Sequence, residues 1–130
     1  MKLNGTFDIE QMDGTVILTA LSDVGEFELG NVNKRFEETL DLISRRCIDN
    51  IIIDLNHADF HGSVALAFFV RLWKLAKSNG GEFALCNVSR HGWETLRVTH
   101  LNRLWAIFPT RDDALQTIVD VGRHYVELCV

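Results

Sequence analysis

The densest chemistry in the chain lies in one short stretch, Asn56-His57-Ala58-Asp59-Phe60-His61-Gly62-Ser63-Val64-Ala65-Leu66-Ala67, directly after Asp54 and Leu55. Asp54, His57, Asp59 and His61 put four potential metal ligands within eight residues, and imidazole with carboxylate suits zinc, iron or manganese. A metal-dependent enzyme built on His57, Asp59 and His61 is therefore one reading. Asp54 ends a strand, however, and alternation along a strand sends neighbouring side chains to opposite faces, so convergence on one ion needs a particular loop path. No metal and no cofactor is expected. Ser63 is the second suggestive group. It lacks the Gly-x-Ser-x-Gly surroundings of a nucleophile elbow, and neither His91 nor His100 stands in a recognisable nucleophile-and-base pattern with it. No catalytic residue is assigned; Ser63 reads either as the N-cap of the following helix, with Gly62 allowing an unusual backbone turn before it, or as a modified hydroxyl.

The elements around this loop follow from pattern. A loosely alternating segment from Thr6 to Met12, the Asp13-Gly14 turn signal and β-branched Thr15 to Leu21 predict an antiparallel hairpin. Phe36, Leu40, Ile43 and Cys47 recur at helical spacing, with Lys34, Glu37, Glu38, Asp41, Arg45 and Arg46 as the solvated face. Asn50 to Leu55 is a short apolar run of the kind covered on both faces, and predicts the central strand. Ser63 to Ser78 has no Gly or Pro, repeats apolar residues through Leu66, Phe69, Val70, Trp73 and Ala76, and stops at Asn79-Gly80-Gly81. Phe83 to Val88 predicts a further strand, Ser89 caps a short helix through Trp93 and Leu96, and Trp105 to Phe108 predicts a last strand. Thr110 with Asp113 opens a final helix through Ala114, Leu115 and Ile118. Val121, Tyr125 and Cys129 suggest a further helical turn in the tail. The sum is an α/β fold: a mixed sheet, N-terminal hairpin then parallel strands, flanked by about four helices.

Bulk properties narrow the class. With 130 residues, 47% of them hydrophobic, the chain can bury one core, and is read as a single domain with a core of about 15–119 and an extension over 120–130. Thirteen basic against 18 acidic residues leave a net charge of -5 with Lys and Arg scattered, so nucleic acid is not expected as a partner. Cys47, Cys86 and Cys129 are far apart without CxxC spacing, which fits a reducing compartment. No signal-peptide pattern and no long apolar run appears; a cytoplasmic protein with no membrane partner is expected. Gly80-Gly81 is followed by an acid and a strand, which is no phosphate-cradling loop.

The order apolar strand (Ile51 to Leu55), Asp59-Phe60, a serine opening a helix (Ser63), Leu66 and a closing Gly80-Gly81 resembles the STAS domain of the anti-sigma factor antagonists. Asn87-Val88-Ser89, Leu101-Asn102-Arg103-Leu104 and Phe108-Pro109-Thr110 continue it, so the resemblance runs from about Thr15 to Val119. It implies a regulatory protein-binding domain that docks an anti-sigma factor or serine-kinase-like partner, with Ser63 as the phosphorylatable serine. Asp59, Phe60, His61, Gly62, Val64, Leu66 and Phe68 then form the docking edge. Gly62, Val64 and Ala65 depart from the family's acid, second hydroxyl residue and glycine. A constitutive or homo-oligomerising scaffold on the same fold is the alternative.

Overall fold

The computed structural model describes residues 2–3, 7–24, 31–45 and 48–118. Among them, six strands form one sheet in sequential order. These are β1 (Lys2–Leu3), β2 (Phe7–Met12), β3 (Thr15–Ala20), β4 (Asn50–Asp54), β5 (Phe83–Cys86) and β6 (Ala106–Phe108). β1, β2 and β3 run antiparallel, and β3 through β6 are parallel. The Asp13-Gly14 hairpin is present, with both residues at positive φ. The helices are α1 (Asn31–Ser44), α2 (Gly62–Ser78), α3 (Arg90–Val98) and α4, over residues 111–118; a single 3-10 turn covers Leu101–Arg103. The mixed sheet with four helices is the expected architecture.

A sheet that grows in one direction by right-handed crossovers must put its crossover helices on one face. α1, α2 and α3 do share a face. Phe36, Leu40 and Ile43 of α1, Phe68, Phe69 and Leu72 of α2 and Leu96 of α3 pack with Val16, Leu18, Ile51, Ile53, Phe83 and Leu85 of the strands. The alternate strand residues Ile17, Ile52, Ala84 and Cys86 meet Ala114 and Ile118 of α4 on the other face. That double covering is why Ile51, Ile52 and Ile53 are all fully buried despite pointing in opposite directions.

Two details differ from the sequence reading. β1, with two residues, is too short to leave a periodic signal. α2 begins one residue early: His61 is its N-cap, in extended backbone, and no side chain caps it. Ser63 therefore is not the cap. Trp105 is core, and Trp93, near the start of α3, is 44% exposed. Cys47, the tail spacing of Val121, Tyr125 and Cys129, and the end of the last helix lie outside the described residues.

Phe69 is fully buried where α2 meets the sheet, with Phe60, Phe68, Phe83 and Trp105 as ring neighbours. Phe69→Ala is expected to lower the unfolding free energy by about 3–5 kcal/mol, read by denaturant titration.

Candidate functional site

The loop from β4 to α2 is held by its polar groups before it can present any. At its start, the Asp54 carboxylate accepts hydrogen bonds from Asn56 N (3.0 Å) and Asn87 Nδ2 (2.9 Å), with Arg111 Nη1 3.9 Å away. Cys86 lies beside it. Burial, reinforced by the Asp54 charge, pushes the Cys86 thiol up to about 12, so it stays protonated at neutral pH.

Further along, Asp59 ties three segments together. Its Oδ1 accepts from Phe60 N at 2.8 Å, its Oδ2 accepts from Ser89 Oγ at 2.8 Å, and Ser89 Oγ in turn accepts from Gly92 N at 3.0 Å as the cap of α3. The Asp59 amide donates to Asp23 Oδ1 at 2.8 Å, and Asp23 Oδ2 lies 3.3 Å from His61 Nε2. The Asp59 amide bond holds the Asp23 carboxyl below the usual carboxylate range, against the opposing effect of desolvation and with help from His61.

Phe60 is the hydrophobic anchor. It forms a parallel bridge with Val24, sealed by Val24 N to Asp59 O and His61 N to Val24 O, both 2.8 Å. Its ring meets Phe69 edge-on at 5.4 Å between centroids. α3 approaches so closely that a Cβ on Gly92 would fall 2.8 Å from the Phe60 ring and from Val88. Gly62 follows at φ +75, a backbone conformation that L side chains rarely adopt.

These restraints separate the expected site residues. Ser63 and Gly62 are exposed, and His61, Val64 and Leu66 are half-buried at the first turns of α2. Phe60 and Phe68 are 1% and 2% exposed, Phe68 stacking on Phe36 at 4.1 Å, so neither offers surface to a partner. Asp59 spends one oxygen on Phe60 N and the other on the Ser89 cap of α3, and is a strut of the edge. The ligand set Asp54, His57, Asp59 and His61 does not converge: among the described residues, no group of three or more His, Cys, Asp or Glu side chains could share an ion. Asp23, Ser89 and Gly92 belong to the site and were missed. Only Ser89 carried a local signal, its cap position. His91, whose ring sits 5.4 Å from that of His61, extends the edge onto α3.

The STAS domain model matches residues 6–114. The chain belongs to the STAS domain family. This STAS domain is similar to the anti-sigma F factor antagonist of Paenibacillus polymyxa, 23% identical over 119 residues, which cover 92% of this chain and 97% of that protein. Its fold is shared by the anti-sigma factor antagonist (STAS) domain protein of Planctomyces limnophilus (24% identity, TM-score 0.71, 87% and 97% covered). It is shared too by the Bacillus cell fate determinant SpoIIAA in its phosphorylated form (15% identity, TM-score 0.65, 86% and 98% covered). No described helix of the STAS domain is long and apolar enough to cross a membrane.

Asp59→Ala strands Phe60 N and Ser89 Oγ together, and is expected to cost about 1–3 kcal/mol and to speed amide exchange at Phe60 and Gly92. A lowered Asp23 pKa means that its carboxylate supports the fold above the unfolded-state value and that this support is lost as pH falls through the lower folded value. The Asp59 amide resonance should therefore show an acid-range shift below the ordinary carboxylate value of about 4, and Asp23→Asn should remove that acid-range component.

Proposed function

We propose that this STAS domain is an anti-sigma factor antagonist whose rim of His61, Gly62, Ser63, Val64 and Leu66 docks a serine-kinase-like anti-sigma partner, and that phosphate on Ser63 ends the docking. The observation that carries this reading is the state of Ser63: exposed, in the first turn of α2, and not used to cap the helix. A hydroxyl with no structural duty beside half-buried Val64 and Leu66 is placed for a contact that modification would spoil. Phosphorylation adds about -1.5 to -2 charge, which the start of a helix tolerates and an apolar contact does not. Release then comes from the interface and needs no unfolding. The names of the relatives support the same reading, one being an antagonist and one having been solved phosphorylated. Binding is the whole activity in this account, with no catalytic role for Cys86, His91 or His100.

Gly62 and Val64 favour a second reading, a constitutive docking or self-associating scaffold. Gly62 supplies no carboxylate to a kinase's metal site, and Val64 makes the rim more apolar than a second hydroxyl residue would.

Mass spectrometry of the protein from its native cells decides between them. Phosphate on the Ser63 peptide, absent from a Ser63→Ala strain, is the expected result. A Ser63 that stays unmodified across growth and stress conditions leaves the constitutive scaffold, and light scattering over a range of concentrations then reads whether it self-associates.

A further inference from the structure

The outer face of α3 sets an exposed indole beside net positive charge on an acidic molecule. α3 turns Gly92 and Leu96 inward. Arg90, Trp93, Glu94 and Arg97 follow at helical spacing along another stripe and line an open cleft of about 360 Å³. Exposed Arg103 and Leu104 come just after the helix. The segment 90–104 holds three arginines against one glutamate, a charge of +2 in a chain whose total is -5. Three of the thirteen basic residues make this segment locally positive. Arg90 has Glu94 at 3.9 Å, but Arg97 and Arg103 have no carboxylate partner among the described residues. Beside them Trp93 leaves 44% of its surface in water.

We infer that this face is a second docking surface, which takes an acidic segment of a partner protein carrying a leucine or phenylalanine. Carboxylates of the segment pair with Arg97 and Arg103, and its apolar side chain covers Trp93. Exposed Trp and Arg are the residue types that dominate protein interfaces, and the net positive charge of residues 90–104, with Arg97 and Arg103 unpaired among the described residues, favours an anionic occupant. Duplex nucleic acid fits poorly, because three arginines on a net-acidic chain neutralise few phosphates and the remaining charge repels the duplex. A lipid surface fits poorly too, because the nine residues of α3 expose only Trp93 and Val98 as large apolar side chains, too short a stripe for an interfacial helix. The inference reaches beyond the Ser63 rim and does not need it, although the His61 and His91 rings place the two surfaces side by side.

The test is an NMR titration of the full isotope-labelled chain with a glutamate-rich decapeptide containing two leucines, and with its glutamine counterpart. The acidic peptide is expected to move the resonances of residues 90–104, with binding weakened by added salt. Arg97→Gln with Arg103→Gln is expected to reduce affinity roughly tenfold while leaving the Tm unchanged, since both side chains are exposed. The glutamine peptide tests the charge pairing independently of any variant. Equal binding of the glutamine peptide, shifts confined to other residues, or no shift would overturn the proposal. So would tighter binding of phosphatidylglycerol vesicles or a DNA duplex, or self-association that moves the same resonances. Ser63 phosphorylation is read in a separate experiment, so either idea can fail alone.

Discussion

Burial of Phe60 is the constraint on which the candidate site depends. A loop between a central strand and a helix has many available paths, and a large aromatic ring sunk between α2, α3 and the Val24 segment leaves it one. With the ring in place, the Asp59 carbonyl accepts from Val24 N, His61 N donates to the Val24 carbonyl, and the Asp59 carboxylate closes on Phe60 N and Ser89. The chain then has to turn outward through Gly62 at positive φ, and Ser63 emerges on the surface. The serine is exposed because the phenylalanine three residues earlier is not.

The same economy explains why the loop's charged residues do not form a reactive centre. Asp54, Asp59 and Asp23 each hold the backbone or a neighbouring side chain. A buried acceptor that receives two donors is stabilising where it stands and has little capacity left for a ligand. Cys86 illustrates the complementary case, a thiol kept inert by burial beside a carboxylate. The loop is rich in functional groups because a tight irregular path needs them.

α3 is positioned by the same contact and carries a different surface. Gly92 brings it against the Phe60 ring. The outer stripe, free of packing duties, carries Arg90, Arg97 and the exposed Trp93. Two neighbouring surfaces, one apolar with a hydroxyl and one basic with an indole, rest on a single aromatic anchor.

Periodicity was sufficient for the strands β2 to β6, the helices α1 to α3 and the start of α4, because each must bury one stripe or two faces, and the spacing of Ile51 to Ile53 or of Phe69 to Ala76 records which. The serine-bearing loop was legible as well, through its run of Asp, Phe, Gly and Ser between two strongly patterned elements. What the residues in order did not contain was which side chains face each other. Phe60 and Phe68 look like candidates for an exposed edge until α1, α3 and the sheet close over them, and Asp54, Asp59 and His61 look like ligands until each finds a partner thirty or more residues away, at Asp23, Asn87 or Ser89. Local preference sets the elements because backbone hydrogen bonding and stripe burial act over a few residues. Exposure, capping and side-chain pairing were decided by the tertiary structure, because they depend on contacts between segments whose separation along the chain leaves no periodic trace.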